Sequence, residues 1–157
     1  MKKGFSLVEI LVSIAIIGII SSIGIQGLIA SRERARLEED VAKVVQAIRN
    51  AQNSALAPSR TETGVAATKT LCAIGVNINS SNGKVQPIYT SRTNSGACTE
   101  SNYPSSDTLN YATVDADATF LFSIPFATTS EDSVKLSREG VDKTITVTNT
   151  GLIKVEE

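Results

Sequence analysis

The sequence predicts an α+β chain in which one long N-terminal α-helix, half membrane-spanning and half amphipathic, packs on a small antiparallel β-sheet domain. Three observations point there. The 22 residues Ile10 to Ser31 carry no charge, close to the ~20 that an α-helix needs to cross the hydrocarbon core of a bilayer. Leu37, Val41, Val44, Ile48, Ala51 and Ala55 then recur at intervals of four, three, four, three and four, a helical stripe with one face to bury. Near the end the period becomes two, with Thr144, Thr146 and Thr148 on one side of a strand and Ile145 and Val147 on the other. A chain of 157 residues has room beyond its apolar run for one domain of roughly 100 residues.

The apolar run holds Ser13, Gly18, Ser21, Ser22, Gly24, Gln26 and Gly27, small or mildly polar groups that suit close helix-to-helix contact better than a purely lipid-facing surface. Lys2 and Lys3 before it favour a cytoplasmic N-terminus, whereas Arg32, Arg34 and Arg36 beyond it oppose that orientation. A cleavable secretory signal would have a shorter apolar core and a small-residue cleavage site after it; here the run leads straight into the amphipathic stripe. One acid, Glu9, stands four residues after Phe5 in this surface. A carboxylate at the centre of a membrane helix costs ~2.5–3.5 kcal/mol and less near an end, so Glu9 calls for a compensating charge or for escape to the headgroups.

The amphipathic half pairs Glu39 with Lys43 on its outer side, four residues apart, and Pro58 marks its stop near Ala57. A coiled-coil seam is the competing reading of the stripe, but it runs for under three heptads and its alanines suit a sheet. Strand-like runs follow at Leu71 to Ile78 and Val85 to Ser91, joined by a Ser-Ser-Asn-Gly turn with Asn82 and Gly83 available for positive φ. Residues 92–110 read as a long exposed loop. Beyond it lie an aromatic strand around Phe120 and Phe122, a short Val-Lys-Leu-Ser strand, and two strands joined at Asn149, Thr150 and Gly151. Pro125 cannot donate to a ladder and so implies an edge strand or a bulge.

Composition excludes several kinds of chemistry. The sequence has no histidine, so Ser-His-Asp and Cys-His nucleophilic sites are out, and neither a Walker loop nor a Gly-x-Gly-x-x-Gly motif occurs. No catalytic residue and no cofactor are expected. Asp115 and Asp117, with Asp107 nearby, are candidate calcium oxygens, but they lack the glycine and terminal glutamate of an EF-hand loop, and no metal site is assigned. A net charge of −1 and only 4% aromatic residues make nucleic acid an unexpected partner. Arg32, Arg34 and Arg36 suit lipid headgroups or DNA, and the spanning helix beside them favours headgroups or acids on an adjacent helix. Cys72, on the first strand, and Cys98, in the long loop, form one disulfide if the domain is exported; two unpaired thiols are the alternative.

The stretch KKGFSLVEILVSIAIIGII closely resembles the start of type IV prepilins and of type II secretion pseudopilins. The resemblance covers about the first 30 residues. It implies a leader, residues 1–4, removed by a prepilin peptidase between Gly4 and Phe5, N-methylation of Phe5, and a role for Glu9 in register, pairing with the Phe5 amine of its own chain or of a neighbour. One departure is the lack of the proline that many members carry near position 26; Gly24, Gln26 and Gly27 stand there instead. The C-terminal strands resemble those of H-type minor pseudopilins and FimT-like minor pilins. The implied layout is a transmembrane and filament-core helix over residues 5–31, the amphipathic helix of the domain over 32–57, and an antiparallel β-domain over 58–157. Implied partners are other pilin or pseudopilin subunits, the prepilin peptidase, an inner-membrane assembly platform, and membrane lipid before assembly. The expected location is a single-pass inner membrane with the β-domain outside the cytoplasm, and then a periplasmic or extracellular filament. A ligand-binding tip subunit for adhesion or DNA uptake, and a membrane-anchored domain that never polymerises, are the competing functions.

Overall fold

The computed structural model describes residues 6–58, 68–93 and 96–157, with the side chains of residues 22–26 outside that set. Among the described residues one helix, α1 (Leu7–Leu56), precedes nine strands: β1 (Lys69–Asn79), β2 (Lys84–Thr93), β3 (Thr99–Asn102), β4 (Asp107–Thr108), β5 (Thr113–Val114), β6 (Ala118–Ser123), β7 (Asp132–Arg138), β8 (Val141–Val147) and β9 (Ile153–Glu156). The fold is α+β, a long N-terminal helix followed by antiparallel sheet. The chain divides into two compact units, residues 1–35 and residues 36–157.

In the first unit the described large apolar side chains of α1, from Leu7 through Ile20 and at Leu28 and Ile29, are all exposed. A helix that is apolar around its circumference needs lipid or other helices to cover it. Residues 1–5, which include the expected leader and cleavage point, lie outside the described residues.

The second unit owns the core. Leu37, Val41, Val44, Ile48, Ala51 and Ala55 are buried along α1, so the four-three spacing read from the sequence is the packed face of the helix. The strands form two antiparallel sheets. One runs β3-β2-β1-β6, with β4 also paired to β2; the other runs β5-β7-β8-β9. Ile74, Val76, Ile78, Val85, Phe120 and Phe122 of the first and Val114, Val134, Leu136, Ile145 and Val147 of the second join the helix stripe in one hydrophobic cluster. Alternate residues of a strand face opposite sides, which puts Ile145 and Val147 in this core and leaves Thr144 and Thr146 half-buried on the other side.

Turn chemistry explains the hairpins. Between β1 and β2 only Gly83 takes positive φ, at 61°, while the Asn82 side chain accepts from the Lys84 N–H at 3.0 Å. Between β8 and β9 the left-handed position is Gly151, at φ 80°. Gly75 meets a different demand: a Cβ there would run into the Phe120 carbonyl oxygen and the Leu121 side chain.

One reading needs correction. Residues 92–110 are not one long exposed loop: β3 pairs with β2 through Ile88 to Ser91, β4 pairs with Lys84 and Val85, and Leu109 is buried. Polar Thr-Glu-Ser-Asn has weak strand propensity of its own; it becomes a strand because β2 presents an edge of unpaired backbone groups. Pro125 lies outside β6, in the turn that follows it, joined to Ile124 by a cis peptide bond. β6 is nevertheless the end strand of its sheet, as a nearby proline favours.

Candidate functional site

Two regions carry the polar groups that matter. At the N-terminal end, Glu9 occupies the first turn of α1, where a negative charge is favoured by the helix dipole. Its N–H donates to the Ser6 carbonyl at 3.1 Å, and the Ser13 hydroxyl donates to the Glu9 carbonyl oxygen at 2.7 Å. The side chain is exposed beside Leu7, Val8 and Ile10, Leu7 being 78% exposed, so this carboxylate stands in an apolar surface. Gly4 and Phe5 lie outside the described residues. Among the described residues no helix is long and apolar enough to cross a membrane; the expected span over residues 5–31 runs through residues 22–26, whose side chains lie outside the described set.

The second region joins α1 to the segment before β5. Asp40 is fully buried on the packed face of α1. Its Oδ2 accepts the N–H groups of Tyr111 at 2.7 Å and Ala112 at 2.8 Å, and its Oδ1 accepts from Asn110 at 3.3 Å and from the Lys43 ammonium at 3.3 Å. Burial pushes the Asp40 carboxyl up, but the backbone N–H groups of Ala112, Tyr111 and Asn110 and the Lys43 ammonium together hold it below the usual carboxylate range. Lys43 also meets Glu39 at 3.1 Å, the i,i+4 pair read from the sequence. Beside this network the guanidinium of Arg36 lies 5.3 Å and that of Arg138 5.4 Å from the centre of the Tyr111 ring, within cation–π range. Arg138 also donates to the Tyr111 carbonyl.

Sequence reasoning passed over Asp40. The signal was present, because Asp40 lies three residues after Leu37 and four before Val44, on the buried stripe itself. A carboxylate on such a stripe needs partners. Asp40 fastens the irregular segment 110–112 to the helix.

Cys72 and Cys98 form a disulfide with Cα atoms 6.4 Å apart. Cys72 is the extra residue of a β-bulge, since Leu71 opposes Ser91 while Ala73 opposes Thr90. Gln86 supports the segment after β3 by donating from Nε2 to the carbonyls of Pro87, Tyr103 and Ser105 at 2.9–3.1 Å. Tyr103 meets Tyr89 edge to face, with ring centres 5.4 Å apart. A groove of about 910 Å³ opens between α1 and the first sheet, floored by Ile74, Gly75, Val85 and Pro87 and walled by Ala47, Asn50, Tyr103 and Ser105.

Two of the candidate calcium acids, Asp115 and Asp117, are engaged elsewhere. Asp117 accepts the N–H and hydroxyl of Ser80 at 2.6 and 2.7 Å, which lower its pKa. Asp115 meets Lys135 at 3.5 Å and the Ser137 hydroxyl at 3.2 Å, and Asp107 lies on β4. Among the described residues no group of three or more His, Cys, Asp or Glu side chains is arranged to hold a metal ion.

Residues 1–25 match a family model described as Prokaryotic N-terminal methylation motif. The chain carries the type IV prepilin signature. Gly4, Phe5 and Glu9 fall inside the prepilin match, whereas Asp40, the disulfide and both sheets fall beyond it. The prepilin signature implies processing by a prepilin peptidase, membrane anchoring and assembly with other pilin-type subunits. No curated protein and no solved structure matches the chain.

Proposed function

We propose that this chain is a minor, initiating or tip subunit of a type IV pilus or a type II secretion pseudopilus. The observation that carries the reading is the N-terminal methylation motif over residues 1–25, set on a helix whose described apolar side chains are exposed. In this reading residues 1–4 are the leader. A prepilin peptidase cuts between Gly4 and Phe5, Phe5 is N-methylated, and residues 5–31 anchor the chain in the inner membrane with the β-domain outside the cytoplasm. An inner-membrane assembly platform then moves the helix from lipid into the core of a filament.

Glu9 supports this sequence of events physically. Cleavage makes the Phe5 amine a cation four residues before Glu9, a spacing at which groups of a continuous helix share one face. In a filament core an unpaired carboxylate costs far more than a paired one, so a subunit that seats Glu9 against an amine is held in register. Helix packing supplies the apolar burial, and residues 36–157, with a core of their own, supply the outer surface. The minor assignment rests on the resemblance of the C-terminal strands to H-type pseudopilins and FimT-like pilins.

Mass spectrometry of the native polypeptide tests the reading. The expected N-terminus is N-methylated phenylalanine at Phe5; a chain still beginning at Met1 overturns it and favours a membrane-anchored domain that does not polymerise. A second reading, a ligand-binding tip subunit, draws on the groove between α1 and the first sheet. Salt-sensitive retention of DNA by the full chain in detergent supports that reading, and its absence removes the DNA-uptake form of it.

A further inference from the structure

β9 carries Lys154 and Glu156 on one face and Ile153 and Val155 on the other. Among the described residues no strand covers its outer edge, since β9 ends the second sheet and pairs only with β8. The ladder has Thr144 opposite Glu156, Thr146 opposite Lys154 and Val147 opposite Ile153 without a bulge, and it continues to the bond from the Thr148 N–H to the Leu152 carbonyl at 3.0 Å. Hydrogen-bonded and non-hydrogen-bonded pairs alternate in an antiparallel ladder. Lys154 and Glu156 therefore direct their backbone groups to β8, while Ile153 and Val155 direct theirs to the open edge.

Two copies of such an edge can pair only with outward-directed residues opposite one another. Val155 opposite Val155 is one such register, and it places Lys154 opposite Glu156 of the second copy, twice by symmetry. Shifting by one allowed step puts Ile153 opposite Val155 and Lys154 opposite Lys154, a like-charge contact. Opposite charges directly across a ladder stabilise it and like charges destabilise it, so charge selects the register centred on Val155. Neither Lys154 nor Glu156 has an ion-pair partner of its own among the described residues. Leu152 and Val155 are 57% and 45% exposed, which leaves apolar surface beside the edge for a second copy to cover.

We infer that β9 pairs antiparallel with β9 of a second copy of this chain about a two-fold axis at Val155, held by reciprocal Lys154–Glu156 contacts. The partner is identical and the contact isologous. A four-residue ladder is a small interface, so the association is weak and depends on concentration.

The full chain in mild detergent, oxidised under gentle conditions, tests this with Val155→Cys as reporter. Opposed Cα atoms in a hydrogen-bonded antiparallel pair are ~5.5 Å apart, within disulfide reach. The expected result is a disulfide-linked dimer whose yield falls roughly tenfold when Lys154→Glu is added. The yield returns when Glu156→Lys is added as well, because the swap restores both opposite pairs. Equimolar mixing of the Lys154→Glu and Glu156→Lys reporters also restores it. Association through the N-terminal helix is indifferent to these charges, so equal yields across the set overturn the inference, as does a Val155→Cys chain that forms no linked dimer. Unchanged melting temperatures in the reduced state show that the variants fold, and sedimentation of the unsubstituted chain against Lys154→Glu gives a reading free of the reporter.

Discussion

Replacing Asp40 by Asn keeps the shape of the side chain and removes its charge, so it isolates what the carboxylate does. The aspartate accepts two short hydrogen bonds, from Tyr111 and Ala112, and two longer ones, from Asn110 and Lys43. An amide oxygen placed at the Oδ2 position keeps the Tyr111 and Ala112 bonds in neutral form. The NH₂ group then faces the Asn110 N–H and the Lys43 ammonium, where donors meet donors. Hydrogen bonds to a charged group contribute ~1.5–3 kcal/mol each and neutral ones about half that, so the expected loss is about 3 kcal/mol. For a domain of this size that corresponds to a melting temperature lower by roughly 10–15 °C at neutral pH.

The loss must also depend on pH. Asp40 has its folded pKa below the ordinary value of 3.8, so its contribution is fully present above that ordinary value and disappears as pH falls through the folded one. Thermal unfolding followed by circular dichroism, at neutral pH and at several acidic values, gives both quantities. The gap between the native chain and Asp40→Asn is expected to be constant near neutrality and to shrink below about pH 4. A variant within 0.5 kcal/mol of the native chain at neutral pH, or a gap that does not change with acid, would refute the role assigned to the carboxylate.

Three further outcomes follow from particular contacts. Gly75→Ala forces a methyl group against the Phe120 carbonyl and the Leu121 side chain, and thermal unfolding should show a loss of about 2–3 kcal/mol, typical of overpacking; a neutral result would mean that β1 and β6 separate easily. Replacing Cys72 and Cys98 together by Ala opens a loop with a sequence separation of 26, which chain entropy values at ~3 kcal/mol; denaturant titration should register that loss. Glu9→Val should leave membrane insertion intact while reducing incorporation into filaments, measured by fractionation of sheared fibres, and full incorporation would remove the register role.

Much of the helix and of the C-terminal strands was legible in the sequence because both signals are local. The stripe from Leu37 to Ala55 repeats within one helix, and the Thr/Ile/Val alternation from Thr144 to Thr148 repeats within one strand, so no distant partner is needed to see which face is buried. Gly83 and Gly151 were legible as turn residues for the same reason. The short strands β3 and β4 were not, since Thr99 to Asn102 and Asp107 to Thr108 become strands only by pairing with β2. Asp40 interrupts the apolar stripe, but its backbone donors lie about 70 residues away and no local pattern names them.

From its order of residues alone, this protein has a prepilin-type N-terminus, a helix whose character changes from apolar to amphipathic near Ser31, and a β-rich remainder without catalytic histidine chemistry. Tertiary structure decided how the nine described strands divide into two sheets, that Asp40 holds residues 110–112, and that no described strand pairs with the outer edge of β9. Local periodicity records which face of an element avoids water, but strand pairing and the partners of a buried charge depend on groups brought together from far along the chain.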